Sequence, residues 1–208
     1  MYILNTKIKN EIEESNKKDK KECKSLLKEV LPKIFKAFKK AKELYDNEIS
    51  LTPFYARTER HDANTFNVKM IQALYSIFPE NIIDVKYGRK ALRINGYIIF
   101  IKKLDAHDMP MNIPTKISEQ LKHQNLGELF PEDDNGRETI LFFGYKKDNF
   151  GDFVNPRLVY IDGNHRMWSI IENEIYESGD NEIPLRQEDK TDSDPKVSVK
   201  KERARVVK

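Results

Sequence analysis

Cysteine is nearly missing from this chain: Cys23 is the only one in 208 residues. A lone thiol excludes an intramolecular disulfide and a thiolate-built zinc centre, so the expected compartment is a reducing one, the cytoplasm. Histidine is almost as scarce. His61, His107, His123 and His165 never fall at the i, i+4 spacing of a helical zinc pair, and no metal or cofactor is expected from them. No apolar run reaches the roughly 18 to 20 residues that cross a bilayer, and the N-terminus lacks the apolar core of a signal peptide, so no membrane association is expected. Gly144, Gly151 and Gly163 are isolated turn glycines, which excludes a phosphate-cradling loop, and no serine sits in a Gly-x-Ser-x-Gly elbow.

Charge, by contrast, is abundant and unevenly placed. The 37 basic and 34 acidic side chains nearly cancel, leaving a net charge of +3 and no strong general pull toward nucleic acid. Locally the balance tips. From Met1 to Asp46 there are 13 lysines against 8 acids, and from Lys196 to Lys208 six basic residues stand against Glu202 alone. The length suits one folded domain once the polar ends are set aside. The organisation read from these shifts is an N-terminal helical region over 1–50, a core over 51–177, and a charged tail over 178–208 expected to be disordered.

The helical region carries Cys23, Leu27, Val30, Ile34, Phe38, Ala41 and Tyr45 at spacings of three and four, an apolar stripe that has to be covered. Pro32 predicts a break near Leu31 or a new helix with the proline in its first turn. Caps among Asp62 to Thr65 predict a second helix carrying Phe66, Met70, Leu74 and Ile77, ended by Pro79. Strands are expected at Ile82–Tyr87, Lys90–Ile94 and Tyr97–Leu104, the last two joined by Asn95-Gly96, the strongest hairpin signal present. Thr115 caps a short helix to about Gln124, and further strands are expected at Thr139–Tyr145, Leu158–Ile161 and Arg166–Ile171. The fold class is α+β: a mainly antiparallel sheet of about five to six strands with helices packed on one face.

Two constellations carry chemistry. Arg89 and Arg93 beside Lys102 and Lys103 form a basic ribbon across the Asn-Gly hairpin, with Tyr87 and Tyr97 nearby, suited to holding nucleic-acid phosphates and stacking on bases. A solvated sheet face gives the same pattern. The second is a set of carboxylates beside a lysine. The order helix, three strands, helix, strand resembles the restriction-endonuclease-like nuclease core, where an acid on the second strand and a Glu-x-Lys or Asp-x-Lys on the third hold Mg²⁺. Ile99-Phe100-Ile101-Lys102-Lys103 is similar in placement, but Phe100 stands where the second carboxylate belongs. The resemblance implies a catalytic set of Asp84, Lys102 and Asp105 with Mg²⁺ if the chain is a divergent nuclease, and a non-catalytic member otherwise. Asp105, His107 and Asp108 together would suit part of a metal site or simply a polar loop.

The stretch from about Phe54 to Ile171 also resembles a family of uncharacterised bacterial and phage-associated proteins. The resemblance rests on Asp62-Ala63-Asn64-Thr65-Phe66-Asn67, Tyr87-Gly88-Arg89, Lys102-Lys103-Leu104-Asp105, Phe142 to Asp148 and Leu158-Val159-Tyr160-Ile161-Asp162. It implies a setting in mobile-element or phage-defence regulation and supplies no catalytic residues. The expected function is therefore a non-catalytic nucleic-acid-associated or regulatory binding protein. The alternatives are the divergent Mg²⁺-dependent nuclease and a factor whose protein partner covers the N-terminal apolar stripe.

Overall fold

The computed structural model describes residues 19–111, 115–125 and 138–176. The tail expected over 178–208 lies outside the described residues. Helix α1 spans Lys20–Leu26, capped by Asp19, whose side chain accepts from the backbone N–H of Lys21 at 2.8 Å and of Glu22 at 3.2 Å. After a turn, α2 spans Leu31–Ile49 with Pro32 in its first turn, where a missing N–H costs nothing. The predicted stripe from Cys23 to Tyr45 is buried throughout, against the sheet of this same chain. Helix α3 spans Glu59–Ile77 and begins a turn earlier than the sequence suggests: Thr58 is the cap, accepting from the His61 N–H at 3.1 Å. Asp62 does not cap because its carboxylate is engaged elsewhere.

Six strands follow: β1 (Ile82–Val85), β2 (Arg89–Ile94), β3 (Tyr97–Lys103), β4 (Thr139–Lys147), β5 (Phe153–Asp162) and β6 (His165–Ile171). They form one sheet in sequence order, every neighbour antiparallel except β3 and β4, which run parallel. Two antiparallel meanders are thus joined by one parallel seam, and the crossover carries α4 (Lys116–Lys122). The Asn95-Gly96 turn has both residues at positive φ, 50° and 81°, as a type I′ turn requires.

Strand β5 starts five residues before the expected Leu158. Asn155 and Pro156 sit in a bulge: Lys146 pairs with Val154 and Gly144 with Arg157, so Tyr145 alone opposes Asn155 and Pro156. Asn155 takes the left-handed φ of 54°, and the bulge removes the need for a proline N–H.

Apolar side chains cover both faces. On the first face, Leu92, Tyr97, Ile99, Ile101, Leu141 and Phe143 pack against α1, α2 and α3. Phe66 of α3 stacks on Phe153 with ring centroids 4.0 Å apart and meets the Tyr145 ring edge-on at 4.6 Å. On the second face, Ala91, Ile98, Phe100, Ile140, Phe142, Val159 and Ile161 form a smaller cluster under Leu121 of α4 and Leu104. So α1 to α3 share one face and α4 lies on the other. Gln124, just past α4, is fastened to the sheet: its amide donates to the Ile140 and Ile161 carbonyls and accepts from the Ile140 N–H. Gly144 lets Leu104 lie flat on β4, since a Cβ there would come within 2.3 Å of Leu104 Cγ. Among the described residues, no helix is long and apolar enough to cross a membrane.

Candidate anion-binding site

Strand alternation decides which predicted residues can meet, because successive side chains point to opposite faces. Phe100 belongs to the second face, so Lys102 does too, and Ile101 places Lys103 on the first. Val85 and Arg89 are cross-strand partners on the second face, which puts Asp84 and its partner Lys90 on the first. Asp84 is exposed there and ion-paired to Lys90 at 2.6 Å. It therefore lies across the sheet from Lys102. Asp105 holds its own loop, accepting from the backbone N–H of His107 at 2.8 Å and of Met109 at 2.9 Å. The trio of Asp84, Lys102 and Asp105 is not brought together, and among the described residues no three His, Cys, Asp or Glu side chains cluster as metal ligands.

The basic ribbon divides differently. Arg89, Arg93 and Lys102 share the second face and Lys103 projects from the first. Arg93 is held by Glu138 through two contacts of 2.8 Å, a fork that engages its guanidinium. Arg89 and Lys102 are half-buried and meet no carboxylate among the described residues. Burial, and then the nearby charge of Arg89, push the pKa of Lys102 below the ordinary lysine value.

Arg89 and Lys102 line a cleft that the sheet itself opens. Pairing of β2 with β3 runs from Ile94↔Tyr97 to Leu92↔Ile99, and no pair joins Arg89–Ala91 to the residues 100–102. Strand β1 meanwhile follows β2 to Val85↔Arg89. The β1–β2 end thus parts from β3. The resulting cleft of about 340 Å³ has Arg89, Lys90 and Lys102 on its cationic side and Val68 and Ile71 of α3 on its apolar side. No carboxylate lines it.

Further along the second face, the loop after β3 delivers Asp108, 2% exposed and at a left-handed φ of 63°. Three cations converge on it. Arg157 donates to Oδ2 at 2.8 Å, Arg166 donates to the same oxygen, and Lys146 Nζ sits 2.7 Å from Oδ1 as an ion pair outside hydrogen-bond geometry. Burial works to raise the Asp108 pKa, but these cations outweigh it and hold the carboxyl below its ordinary range. The register places Lys102 beside Gly144 and Gly144 beside Arg157. The second face therefore carries Arg89, Lys102, Lys146 and Arg157 toward one end, while Arg166, paired with Ile161 further along the sheet, reaches Asp108 through its long side chain. Sequence reading did not single out Lys146, Arg157 or Arg166. The available signal was Asp108 itself, a carboxylate in a loop that becomes buried.

The first face at the same end holds Asp62 of α3, paired with Lys147 at 2.7 Å. Burial opposes its charge, and the Lys147 hydrogen bond and charge, with Tyr45 and His61, more than offset that, so its pKa also lies below the ordinary value. The Tyr45 phenol is pushed up to about 12 by burial and by Asp62. Cys23 is likewise pushed up to about 12, chiefly by burial, and is no thiolate nucleophile at neutral pH. Comparison with known proteins returns no match to a family model, to a curated protein or to a solved structure.

Proposed function

We propose that this protein is a non-catalytic, nucleic-acid-associated binding protein that uses the second face of its sheet. The supporting observation is the concentration of five basic side chains there, two of which, Arg89 and Lys102, are half-buried without a carboxylate partner among the described residues. A half-buried cation with no counter-charge is costly on its own, and a bound phosphate lowers that cost. Sequence-independent phosphate contact fits this geometry. Arg93 takes no part, because Glu138 already neutralises it. Positive charge in Lys196–Lys208 adds to the attraction for a polyanion.

The test is a salt titration of binding to a labelled duplex and a labelled single strand. Each phosphate contact contributes a slope of about −0.9 in log K against log salt on duplex and about −0.7 on a single strand. Changing Arg89 and Lys102 together to alanine is expected to flatten the slope by about two contacts while leaving the unfolding midpoint nearly unchanged. Absence of binding to either nucleic acid near 50 mM salt rules the reading out.

A further inference from the structure

The strand-parting cleft has more chemistry than a flat basic surface needs. A phosphate rail needs only surface charge, and Lys146, Arg157 and Arg166 carry such charge around Asp108. The cleft adds depth and an apolar wall: Val68 stands 61% exposed at its mouth, and Ile71 is half-buried behind it. Single apolar residues on a surface need no explanation, but Val68 and Ile71, from α3 on the first-face side of the strand gap, line the same concavity as Arg89 and Lys102 of the second face, and no acid lines it. At about 340 Å³ it lies at the small end of ligand-binding pockets, which run from about 300 to 1,000 Å³. A stacked duplex cannot put a base into such a space. An unstacked nucleotide can, and single strands present unstacked bases together with phosphates.

We propose that the cleft between β2 and β3 receives one nucleotide of a single strand, its phosphate held by Arg89 and Lys102 and its base laid against Val68 and Ile71. This rests on the nucleic-acid reading above and gives it a substrate preference: single strand over duplex. The lowered pKa of Lys102 agrees with a site whose cation lacks its anion. Arg89, Lys102, Val68 and Ile71 make no base-specific contact, so these four hold a nucleotide and not a sequence. Asn67 is the side chain at the cleft with the amide groups to add such a preference.

Calorimetric titration of the full chain with inorganic phosphate, thymidine 5′-monophosphate, an oligothymidylate and a duplex of matched length tests this. The expected order is oligothymidylate over duplex by about tenfold, the scale of burying about 50 Å² of apolar surface against Val68 and Ile71. The mononucleotide should bind more tightly than inorganic phosphate. Lys102→Met is expected to abolish mononucleotide binding, and Lys102→Arg to restore it, with circular dichroism checking the fold of each. Val68→Ala, at an exposed position, is expected to weaken the mononucleotide and the single strand while leaving inorganic phosphate unchanged. A preference for single strand over duplex that survives Lys102→Met overturns the cleft but leaves the nucleic-acid reading standing. Duplex binding equal to or tighter than single-strand binding does the same. Binding of the mononucleotide with none of either oligonucleotide overturns both, as does no binding by any probe.

Discussion

Lys146 and Lys147 are neighbours on β4, yet each reaches a different buried carboxylate on a different face of the sheet. Lys147 is the one lysine or arginine paired with Asp62 among the described residues, beside Tyr45, His61 and the aromatic group of Phe66, Tyr145 and Phe153. Lys146 meets Asp108 together with Arg157 and Arg166, three cations on a single acid. The first arrangement is electrically complete and fastens the start of α3 to the end of β4. The second places more positive than negative charge at one point of the sheet, part of it on the exposed Arg166. Both acids are buried, Asp108 more deeply than Asp62, and the number of lysine and arginine partners separates the one-cation pair from the three-cation cluster.

The sharpest way to break this comparison is to remove each acid in turn. Asp108→Asn keeps the left-handed backbone, which asparagine tolerates as well as aspartate, and leaves three cations facing one another. A loss of about 3–5 kcal/mol in urea unfolding is expected, the range for breaking a buried ionic cluster. Phosphate or sulfate in the buffer should recover part of that loss. A loss under about 1 kcal/mol, the size of an exposed ion pair, would mean that the cluster is held by solvent alone.

Asp62→Asn should cost less, about 2 kcal/mol, because the single lysine left behind can extend its ammonium toward water. Added anions should not restore it. Both carboxyls have folded pKa values below the unfolded value, so the stability they give is complete above about pH 4 and is lost as pH falls through the lowered folded values. Unfolding curves from neutral to acid pH should therefore show the gap between wild type and either variant constant above about pH 5 and closing below about pH 4. A gap that closes near neutrality would assign the effect to another group.

The smallest change expected is Arg166→Ala. Its side chain is 43% exposed and shares Asp108 Oδ2 with Arg157, so solvent screening and relief of repulsion nearly cancel its attraction. A shift within about 0.5 kcal/mol is expected by thermal or urea unfolding. A loss as large as that of Asp108→Asn would show the three cations acting as one unit, and the contrast between the faces would need restating in those terms.

Much of the fold was legible from local pattern. The stripe from Cys23 to Tyr45 predicts its own burial, Asn95-Gly96 predicts its turn, and Thr115 caps α4 through a reciprocal pair with Ser118. The early start of β5 was hidden because Asn155-Pro156 has the chemistry of a loop, and only the pairing with β4 turns it into a bulge. Asp62 looks like a cap until Lys147, 85 positions away, engages it. The candidate site was half legible. Arg89 and Lys102 stand out as charges near a hairpin, but the parting of β2 from β3 leaves no mark in an alternating pattern. Arg157 and Arg166 reach Asp108 from 49 and 58 positions away, beyond any periodicity.

The parallel seam also orders the events of folding. Each meander is closed by short turns, whereas partners across the seam, such as Tyr97 and Thr139, are 42 positions apart. Closing that loop costs more chain entropy than either hairpin, so pairing of β3 with β4 is expected to follow the hairpins in folding, a sequence that pulse-labelled hydrogen exchange would test. Neither half alone covers the apolar sides of its inner strand, and two chains meeting before the seam closes can exchange halves with every native pair preserved. The basic side chains of the second face depend on that same seam, since Arg89 and Lys102 come from one half and Lys146, Arg157 and Arg166 from the other.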